Sequence, residues 1–287
     1  MYPIDKNLVK STIKKRPENA DKTTIGSLLS ICGSYGMAGA AIMSSKAALR
    51  SGIGLLKLAT AKSVYPIIAG AVPEAVFYPI EDNYLSEFDF IGKSRYCGAI
   101  LAGCGLSVNN AVRELINEIV LGSEIPVVLD ADALNIVSEN PDVLNEAQAP
   151  VVITPHDREF ARLLGCYPEM LEGKREELAV KFARRYEVTV VLKGHKTIVA
   201  DKTGMVYYNE GIGNPGMACG GSGDVLAGII ASFTAQGFDV LKSAASAVYI
   251  HALAGDIAKE KFGEISMLPT DMIECIPEAF KTIDKSF

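Results

Sequence analysis

Residues 211–224 read Gly211-Ile-Gly-Asn-Pro-Gly-Met-Ala-Cys-Gly-Gly-Ser-Gly-Asp224, and the apolar run Val-Leu-Ala-Gly-Ile-Ile-Ala-Ser-Phe follows at once. The glycines at 220, 221 and 223 permit backbone angles and close approaches that a Cβ would forbid. They stand where a helix is predicted to begin, so free N–H groups and the positive end of the helix dipole meet there. We therefore predict an anion site, with phosphate as its usual occupant.

Around this loop, short runs rich in Val, Ile and Leu alternate with longer helical patterns, which predicts an α/β fold whose parallel sheet is covered on both faces. Strands are predicted at Leu28–Cys32, Leu55–Ala59, Ala75–Pro79, Ala99–Ala102, Val127–Asp130, Val151–Thr154 and Val188–Lys193, and a hairpin at Thr197–Ala200 and Met205–Tyr208. Helices are predicted at Ala38–Ser51, Val108–Leu121, Glu172–Tyr186, Ser222–Gln236, Leu241–Phe262 and Thr270–Ile283. No linker or repeat divides the pattern, so one domain over residues 1–287 is expected.

Composition excludes several classes of protein. The 287 residues carry a net charge of -6, so there is no excess of cations for a nucleic-acid backbone. The apolar stretches are short or interrupted by Pro and Gly, which argues against a membrane span. The N-terminus lacks a secretory signal, and six scattered cysteines without a C-x-x-C pair fit reduced thiols. A cytoplasmic protein is expected, and three histidines make an imidazole metal cluster a poor prediction.

Asp224 falls in the first turn of the predicted helix. One interpretation is a carboxylate that only complements the helix dipole. The other is a general base, because a carboxylate beside a phosphate-binding loop can take a proton from a hydroxyl that attacks the terminal phosphate. The surrounding small residues favour the base. The loop is neither the P-loop pattern, since no lysine follows the glycines, nor the dinucleotide pattern that follows an early strand.

This loop and Asp224 resemble the ribokinase-like superfamily, and four further segments narrow the resemblance to its ADP- or ATP-dependent NAD(P)H-hydrate dehydratases. Those segments are Gly33-Ser-Tyr-Gly-Met-Ala-Gly-Ala-Ala41, Leu129-Asp-Ala-Asp-Ala-Leu-Asn135, Thr154-Pro-His-Asp-Arg-Glu-Phe160 and Leu192-Lys-Gly-His-Lys-Thr197. The resemblance runs from about residue 25 to about residue 280. It implies a three-layer αβα sandwich with a mostly parallel central sheet.

The resemblance implies repair of a damaged cofactor. The S epimer of NADHX or NADPHX would be dehydrated at the expense of a nucleoside phosphate, because phosphorylation turns the hydroxyl of the hydrated ring into a leaving group. Asp224 would activate that hydroxyl. The loop residues Gly221, Ser222 and Gly223 would stabilise charge on the transferring phosphoryl group.

Matching the motifs residue by residue gives the expected binding sites. The hydrated dinucleotide would contact Ala40, Ala41, Gly105, His156 and Asp224. The nucleotide would be held by Lys193, Gly194, His195, Lys196, Thr197 and Gly223. For three of these residues a structural role remains open. Lys196 would then be a solvent-exposed cation in a turn, His195 would cap the turn, and His156 would make its hydrogen bonds within the protein.

Phosphoryl transfer requires a divalent ion, and Mg²⁺ is the expected cofactor. Asp130, Asp132 and Glu159 are candidate ligands that would act through water. The alternative for Asp132 and Asn135 is turn formation and helix capping.

Three positions depart from the family pattern. Cys219 stands where Thr or Ser is usual, and Cys104 replaces a proline in the turn Gly103-Cys-Gly105. Asp157 and Arg158 replace the usual Pro-Gly before Glu159, which can alter the loop and add a cation near the substrate.

Two other functions remain open. A ribokinase-like kinase of a hydroxymethylpyrimidine, a thiazole alcohol or a sugar would use the same loop and Asp224. A nucleotide sensor without turnover would keep the loop alone. ADP is favoured over ATP by the single-domain architecture, the family suggests a homotetramer, and the epimerase of the pathway is expected on a separate chain.

Overall fold

The computed structural model describes residues 1–82 and 84–285. Within these ranges, ten strands form one sheet in the order β1-β10-β9-β8-β7-β6-β5-β2-β3-β4. The strands are β1 (Tyr2–Pro3), β2 (Ser27–Ile31), β3 (Leu55–Ala61), β4 (Val76–Ile80), β5 (Ala99–Ala102), β6 (Val127–Leu129), β7 (Val151–Ile153), β8 (Thr189–Leu192), β9 (Ile198–Ala200) and β10 (Val206–Tyr208). The central strands are fully buried, as their β-branched and aliphatic composition predicts.

Neighbouring strands from β4 through β8 are all parallel. The predicted hairpin is confirmed as β9 and β10: β9 pairs antiparallel with β8, and β10 pairs antiparallel with β9. Strand β1 then pairs parallel with β10 at the sheet edge. Because the central strands are parallel, the loops after β2, β5, β6, β7 and β8 emerge at one edge, where open α/β sheets bind ligands.

Helices cover both faces of the sheet. They are α1 (Lys6–Thr12), α2 (Ala38–Arg50), α3 (Tyr65–Ala71), α4 (Phe90–Ser94), α5 (Asn110–Gly122), α6 (Asp132–Val137), α7 (Asp157–Leu163), α8 (Arg175–Tyr186), α9 (Ser222–Ala235), α10 (Val240–Phe262) and α11 (Pro269–Ile283). Strand side chains alternate between the layers: Leu28 belongs to the buried cluster that contains residues of α2, α9, α10 and α11, whereas Leu29 belongs to the one that contains residues of α5, α7 and α8. The predicted three-layer αβα sandwich with a mostly parallel sheet is confirmed.

The predicted strands and helices are all present, with their ends shifted by a few residues at most. The short helices α1, α3, α4, α6 and α7 were not predicted, because one or two turns give too few apolar repeats to read a period. The apolar stretch that begins at Val64 folds as α3 followed by β4. In the described part of the chain, no helix is both long enough and apolar enough to cross a bilayer.

Candidate active site

The loops at the carboxyl edge of the sheet are tied to one another by main-chain hydrogen bonds. Gly33, after β2, donates to the carbonyl oxygen of Cys104, after β5, at 3.0 Å. Lys193, after β8, donates to the carbonyl oxygen of Pro155, after β7, at 2.8 Å. Between them, Asp130 donates to the carbonyl oxygen of Ala102 and Thr154 to that of Leu129, each at 3.1 Å, so the motif segments after β2, β5, β6, β7 and β8 form one continuous rim.

The glycine-rich loop ends where α9 begins, as predicted. Gly221 precedes the helix with a φ of 104°, a conformation that residues with a Cβ rarely adopt. Among the described residues, the N–H groups of Gly223 and Asp224 have no acceptor. The start of α9 thus presents unpaired donors and the positive end of the dipole to the rim, which favours an anion there.

Gly221→Ala is expected to destabilise the protein by roughly 1 to 3 kcal/mol, because alanine would be held in a strained backbone conformation. Its Cβ would also stand 2.5 Å from Cε and Sδ of Met43, which must move. Urea unfolding checks this. Gly70→Ala is the matched control, since a Cβ at Gly70 meets nothing within 4 Å on helix α3, and we expect no loss of stability there. Equal midpoints for Gly221→Ala and wild type would contradict the strain at this turn.

Asp224 lies beside the ends of β5 and β6. Its carboxylate, that of Asp130 and the thiol of Cys104 have ligand atoms within 4.8 Å of one another. Burial raises the pKa of Asp224 to about 6, and repulsion from Asp130 adds to the rise. A carboxyl with this pKa is mostly ionised near neutral pH and still basic enough to take a proton, as a general base requires.

Lys193 neutralises the buried carboxylates around the site. Its Nζ lies 2.7 Å from Oδ1 of Asp130 and 3.9 Å from Oε2 of Glu159, and the lysine side chain is only 17% exposed. Burial alone would lower the pKa of Lys193, but these carboxylates outweigh it, so the pKa is raised and the ammonium stays charged. The Nζ also lies 3.3 Å from the point where a Cβ on Gly223 would stand, which brings a cation to the anion loop.

A cavity of about 740 Å³ opens between the loop after β8 and the glycine-rich loop. Most of the residues predicted to hold the nucleotide line it: Lys193, Gly194, His195, Thr197 and Gly223. The opposite lining is apolar and includes Ile212, Met217, Leu226, Val248 and Ala252. Lys196 instead forms an ion pair with Glu210 on the surface, at 2.5 Å, which favours the alternative of a solvated turn cation.

The residues predicted to bind the hydrated dinucleotide fall into two groups. A Cβ on Gly105 would stand 2.9 Å from Cβ of Ala40, so those two residues adjoin, and Gly105 has a φ of +63°. Ala41 is fully buried in the core beneath the turn, which favours Ala40 over Ala41 as the residue open to a ligand. His156 caps α7 and also lines the cavity: its Nδ1 accepts from the N–H groups of Arg158 and Glu159 at 3.1 and 3.2 Å, and its Nε2 lies 3.6 Å from Oε1 of Glu159.

The three predicted metal residues differ in what they contact. Asp132 accepts from the N–H of Ser107 at 2.8 Å, and Glu159 accepts from the N–H of His156 at 2.8 Å, as loop-holding residues would. Asp130 also accepts from the Thr154 hydroxyl at 2.6 Å. Of the three, Asp130 is the one grouped with Asp224.

The departures from the family pattern have distinct surroundings. Cys219 is exposed and lines the cavity. Cys104 is buried, and its contact with Cys32 together with burial holds the pKa of its thiol well above the usual range. Asp157 forms an ion pair with Arg175 at 2.9 Å, and Arg158 is exposed.

Two residues on α10 that sequence analysis missed also belong to this region. Nε2 of His251 lies 2.9 Å from the carbonyl oxygen of Ser222, and burial lowers the pKa of His251 to about 4, so the neutral ring donates there at the start of α9. Asp256 accepts from the Gly213 N–H at 2.8 Å and from the Asn214 side chain at 2.9 Å. Neither could be found from sequence, because both appear within an ordinary amphipathic helix.

Comparisons with known proteins agree with this geometry. A family model described as NAD(P)H-hydrate dehydratase matches residues 28–278. The ADP-dependent (S)-NAD(P)H-hydrate dehydratase of Neisseria meningitidis is 38% identical over 255 residues, which cover 87% of this chain and 83% of that protein. The crystal structure of the ADP/ATP-dependent NAD(P)H-hydrate dehydratase from Bacillus subtilis, co-crystallised with ATP/Mg²⁺, superposes with a TM-score of 0.87 at 28% identity and covers 99% of both chains.

Some relatives are longer. The bifunctional NAD(P)H-hydrate repair enzyme of Moorella thermoacetica is 33% identical over 282 residues, which cover 96% of this chain and 53% of that protein. The chain thus spans about half the length of the first curated relatives that it matches. The ribokinase-like fold predicted from the motifs is confirmed by the structural match.

Proposed function

The chain belongs to the NAD(P)H-hydrate dehydratase family, and on that premise we propose that it dehydrates the S epimer of NADHX and NADPHX at the expense of ADP or ATP. The observation that carries the proposal is Asp224, a carboxylate with a pKa of about 6 at the first turn of α9. Nearby are a buried lysine, N–H groups that find no acceptor among the described residues, and the cavity, which the neighbouring Ser222 and Gly223 line.

The proposed reaction has two steps, transfer of a phosphoryl group and elimination of phosphate. Asp224 takes the proton of the hydroxyl on the hydrated nicotinamide ring as the hydroxyl oxygen attacks the terminal phosphorus of the nucleotide. The bond from that phosphorus to the bridging oxygen breaks, so ADP leaves AMP and ATP leaves ADP. The phosphorylated ring then loses phosphate together with a ring proton, which restores the double bond of NADH or NADPH.

The anion loop stabilises the charge that develops during transfer. The N–H groups of Gly223 and Asp224 point from the start of α9, and the proposed transferring phosphoryl group lies against them with Gly221 and Ser222. Lys193 adds a full positive charge at Gly223. These fixed groups need no rearrangement during the reaction, which is the main advantage of such a site.

The two substrates are proposed to approach Asp224 from different sides. The nucleotide occupies the cavity, with its phosphates toward Lys193, Gly194, His195, Thr197 and Gly223. Lys196 is retained as an outer member of this loop. The hydrated dinucleotide lies against Ala40, Gly105 and His156, with Ala41 supporting the turn from below. Because His156 also lines the cavity, it is proposed to lie where the two substrates meet.

Mg²⁺ is the proposed cofactor, and the carboxylate of Asp130 fits a hydrated ion. Its oxygen atoms suit this hard cation, and because Lys193 and the Thr154 hydroxyl both contact Oδ1, Oδ2, which only the Cys104 thiol approaches among the described residues, at 3.8 Å, is left for a water-mediated interaction. The ion would neutralise charge on the nucleotide phosphates. Asp132 and Glu159 are weaker candidates, since each already holds a loop N–H.

The direct test supplies NADHX with Mg²⁺ and either ADP or ATP, and follows NADH absorbance together with released phosphate. We expect NADH and phosphate in equal amounts, with ADP as the better nucleotide. Nucleotide consumption without NADH would favour the kinase function, and a screen of small alcohols would follow. Nucleotide binding without phosphate release would favour a sensor.

We propose one dehydratase domain over residues 1–287, a homotetramer in solution and action in the cytoplasm. With mixed NADHX epimers, these 287 residues are expected to convert the S form promptly and the R form only as fast as the epimers interconvert. Rapid conversion of both forms would show that the domain also acts on the R form.

We expect kcat/KM for NADHX to fall as the pH drops through about 6, with a slope that approaches one tenfold change per pH unit. The sign follows because Asp224 must be ionised to accept a proton, and its pKa is raised to about 6. Initial rates at saturating nucleotide and Mg²⁺ provide the measurement. NADHX is the substrate of choice, since the additional phosphate monoester of NADPHX ionises in the same range. A profile that stays flat down to pH 5 would exclude Asp224 as the base.

A further inference from the structure

Helix α8 begins with Arg175, whose side chain reaches the loop after β8. Its Nη2 donates to the carbonyl oxygens of Leu192 and Lys193 at 3.2 and 2.7 Å, and its Nη1 donates to that of Lys196 at 2.7 Å. Its Nε donates to Oδ1 of Asp157 at 2.9 Å. One guanidinium thus holds three carbonyl oxygens, at the end of β8 and in the 193–197 loop after it. It also holds the carboxylate of Asp157, which follows β7.

These contacts fix which way the loop N–H groups point. In a trans peptide the C=O and the following N–H point in opposite directions, so the N–H groups of Gly194 and Thr197 are turned away from Arg175. Both residues line the cavity. Among the described residues the Thr197 N–H has no acceptor, and that of Gly194 has only a long contact of 3.4 Å with the Thr197 hydroxyl. Backbone donors arranged in this way form an anion-binding concavity.

The glycine at position 194 fits the same arrangement. A Cβ on Gly194 would stand 2.6 Å from Nη2 of Arg175, so any larger residue would displace the guanidinium. The carboxylate partner of Arg175 is Asp157, one of the residues that depart from the family pattern. It is the first residue of α7 and follows His156 directly, so the ion pair connects the nucleotide loop with the loop of a proposed hydrate-binding residue.

We propose that Arg175 is a positioning residue that, with Asp157, turns the N–H groups of the 193–197 loop toward the phosphates of a nucleoside diphosphate or triphosphate. The proposal rests on the proposed use of this loop for the nucleotide. Arg175 itself lies behind the loop and acts through the main chain. Its loss therefore affects the affinity for nucleotide before it affects the chemical step.

The test is titration calorimetry of ADP and of ATP, each with Mg²⁺, into wild type and Arg175→Gln. We expect Arg175→Gln to bind nucleotide between about 10-fold and 100-fold more weakly, the scale on which removal of a residue that orients a binding group lowers affinity or activity at metal sites. Arg175→Lys keeps the charge beside Asp157 but cannot reach three carbonyls, so it is expected to be weakened nearly as much. Asp157→Asn, which leaves the carbonyl contacts in place, is expected to be weakened less.

Arg184→Gln is the matched control, because Arg184 lies on the same helix and, within the part of the chain that the structure describes, makes one hydrogen bond, of 3.4 Å, to the carbonyl oxygen of Thr203. We expect it to bind nucleotide like wild type. In turnover, the KM for nucleotide should rise in Arg175→Gln while the KM for NADHX changes little, a split that general destabilisation would not produce.

The outcomes separate the two proposals. Wild type that binds neither ADP nor ATP would overturn the proposed function. Wild type that binds nucleotide, with Arg175→Gln binding equally well, would overturn the positioning role alone. If Arg175→Gln does not fold, the comparison of Arg175→Lys with wild type decides: equal affinity overturns the proposal, and weakened binding by a folded variant supports it.

Discussion

Asp224→Asn is expected to lower kcat for dehydration of NADHX by about 10²-fold to 10⁴-fold, the range that a positioned general base contributes. Asparagine keeps the size of the side chain and an oxygen toward Cys104, but it cannot take a proton from the substrate hydroxyl. Initial rates at saturating nucleotide and Mg²⁺ measure the effect. Nucleotide affinity by calorimetry should change far less, because the cavity residues are untouched.

The same substitution is expected to stabilise the folded protein at pH 8. A carboxyl whose pKa is raised to about 6 by folding binds its proton more tightly in the folded state, so its ionisation above that pH opposes folding. Removing the charge should therefore raise the free energy of unfolding by an amount on the order of 2 kcal/mol. Loss of activity together with a gain of stability marks a side chain kept for chemistry.

Asp239→Asn is the control for the alternative that Asp224 only complements the helix dipole. Asp239 caps α10, where its side chain accepts from the N–H of Lys242 at 3.0 Å, and asparagine caps a helix about as well. We expect a small change in stability and an unchanged kcat. If Asp224→Asn has the kcat of wild type, Asp224 is not the base, and its role is to complement the dipole of α9.

The fold was predictable because its signals are local. Each central strand is a short aliphatic run that ends near a polar or glycine residue, and the parallel arrangement then brings those ends to one edge. The glycine-rich loop was predictable for a similar reason, since Gly221 and its neighbours show their backbone requirement in the sequence itself.

The contacts that complete the candidate site are not local. Lys193 meets Asp130 across 63 positions of sequence, and Arg175 meets the carbonyls of a loop that carries no complementary pattern. His251 looks like any histidine on a helix until the fold places it against Ser222. Motifs in the sequence were enough to propose the residues for the chemistry, but the residues that contact and orient them required the three-dimensional structure.

Lys193→Met is expected to destabilise the folded protein by about 3 to 5 kcal/mol, because it removes one partner of a buried ion pair. Asp130 is 2% exposed, and with Lys193 gone its charge would face those of Asp224 and Glu159 without a cation. A loss of this size is a large share of the stability of an ordinary domain. Urea unfolding at pH 7.5 or so measures it, and dehydration should fall below detection.

A second substitution separates the structural effect of Lys193 from its part in the site. Asp130→Asn keeps an oxygen for the Thr154 hydroxyl while removing the stranded charge, so Lys193→Met/Asp130→Asn is expected to recover most of the lost stability. Activity should not return, since the cation beside Gly223 is still missing.

Arg113→Met is the control for loss of an exposed ion pair, that of Arg113 with Glu139 at 2.9 Å. It should lower the free energy of unfolding by less than about 1 kcal/mol. A Lys193→Met variant as stable as Arg113→Met would show that Asp130 does not depend on its ammonium partner, and recovered activity in the double variant would exclude Lys193 from phosphoryl transfer.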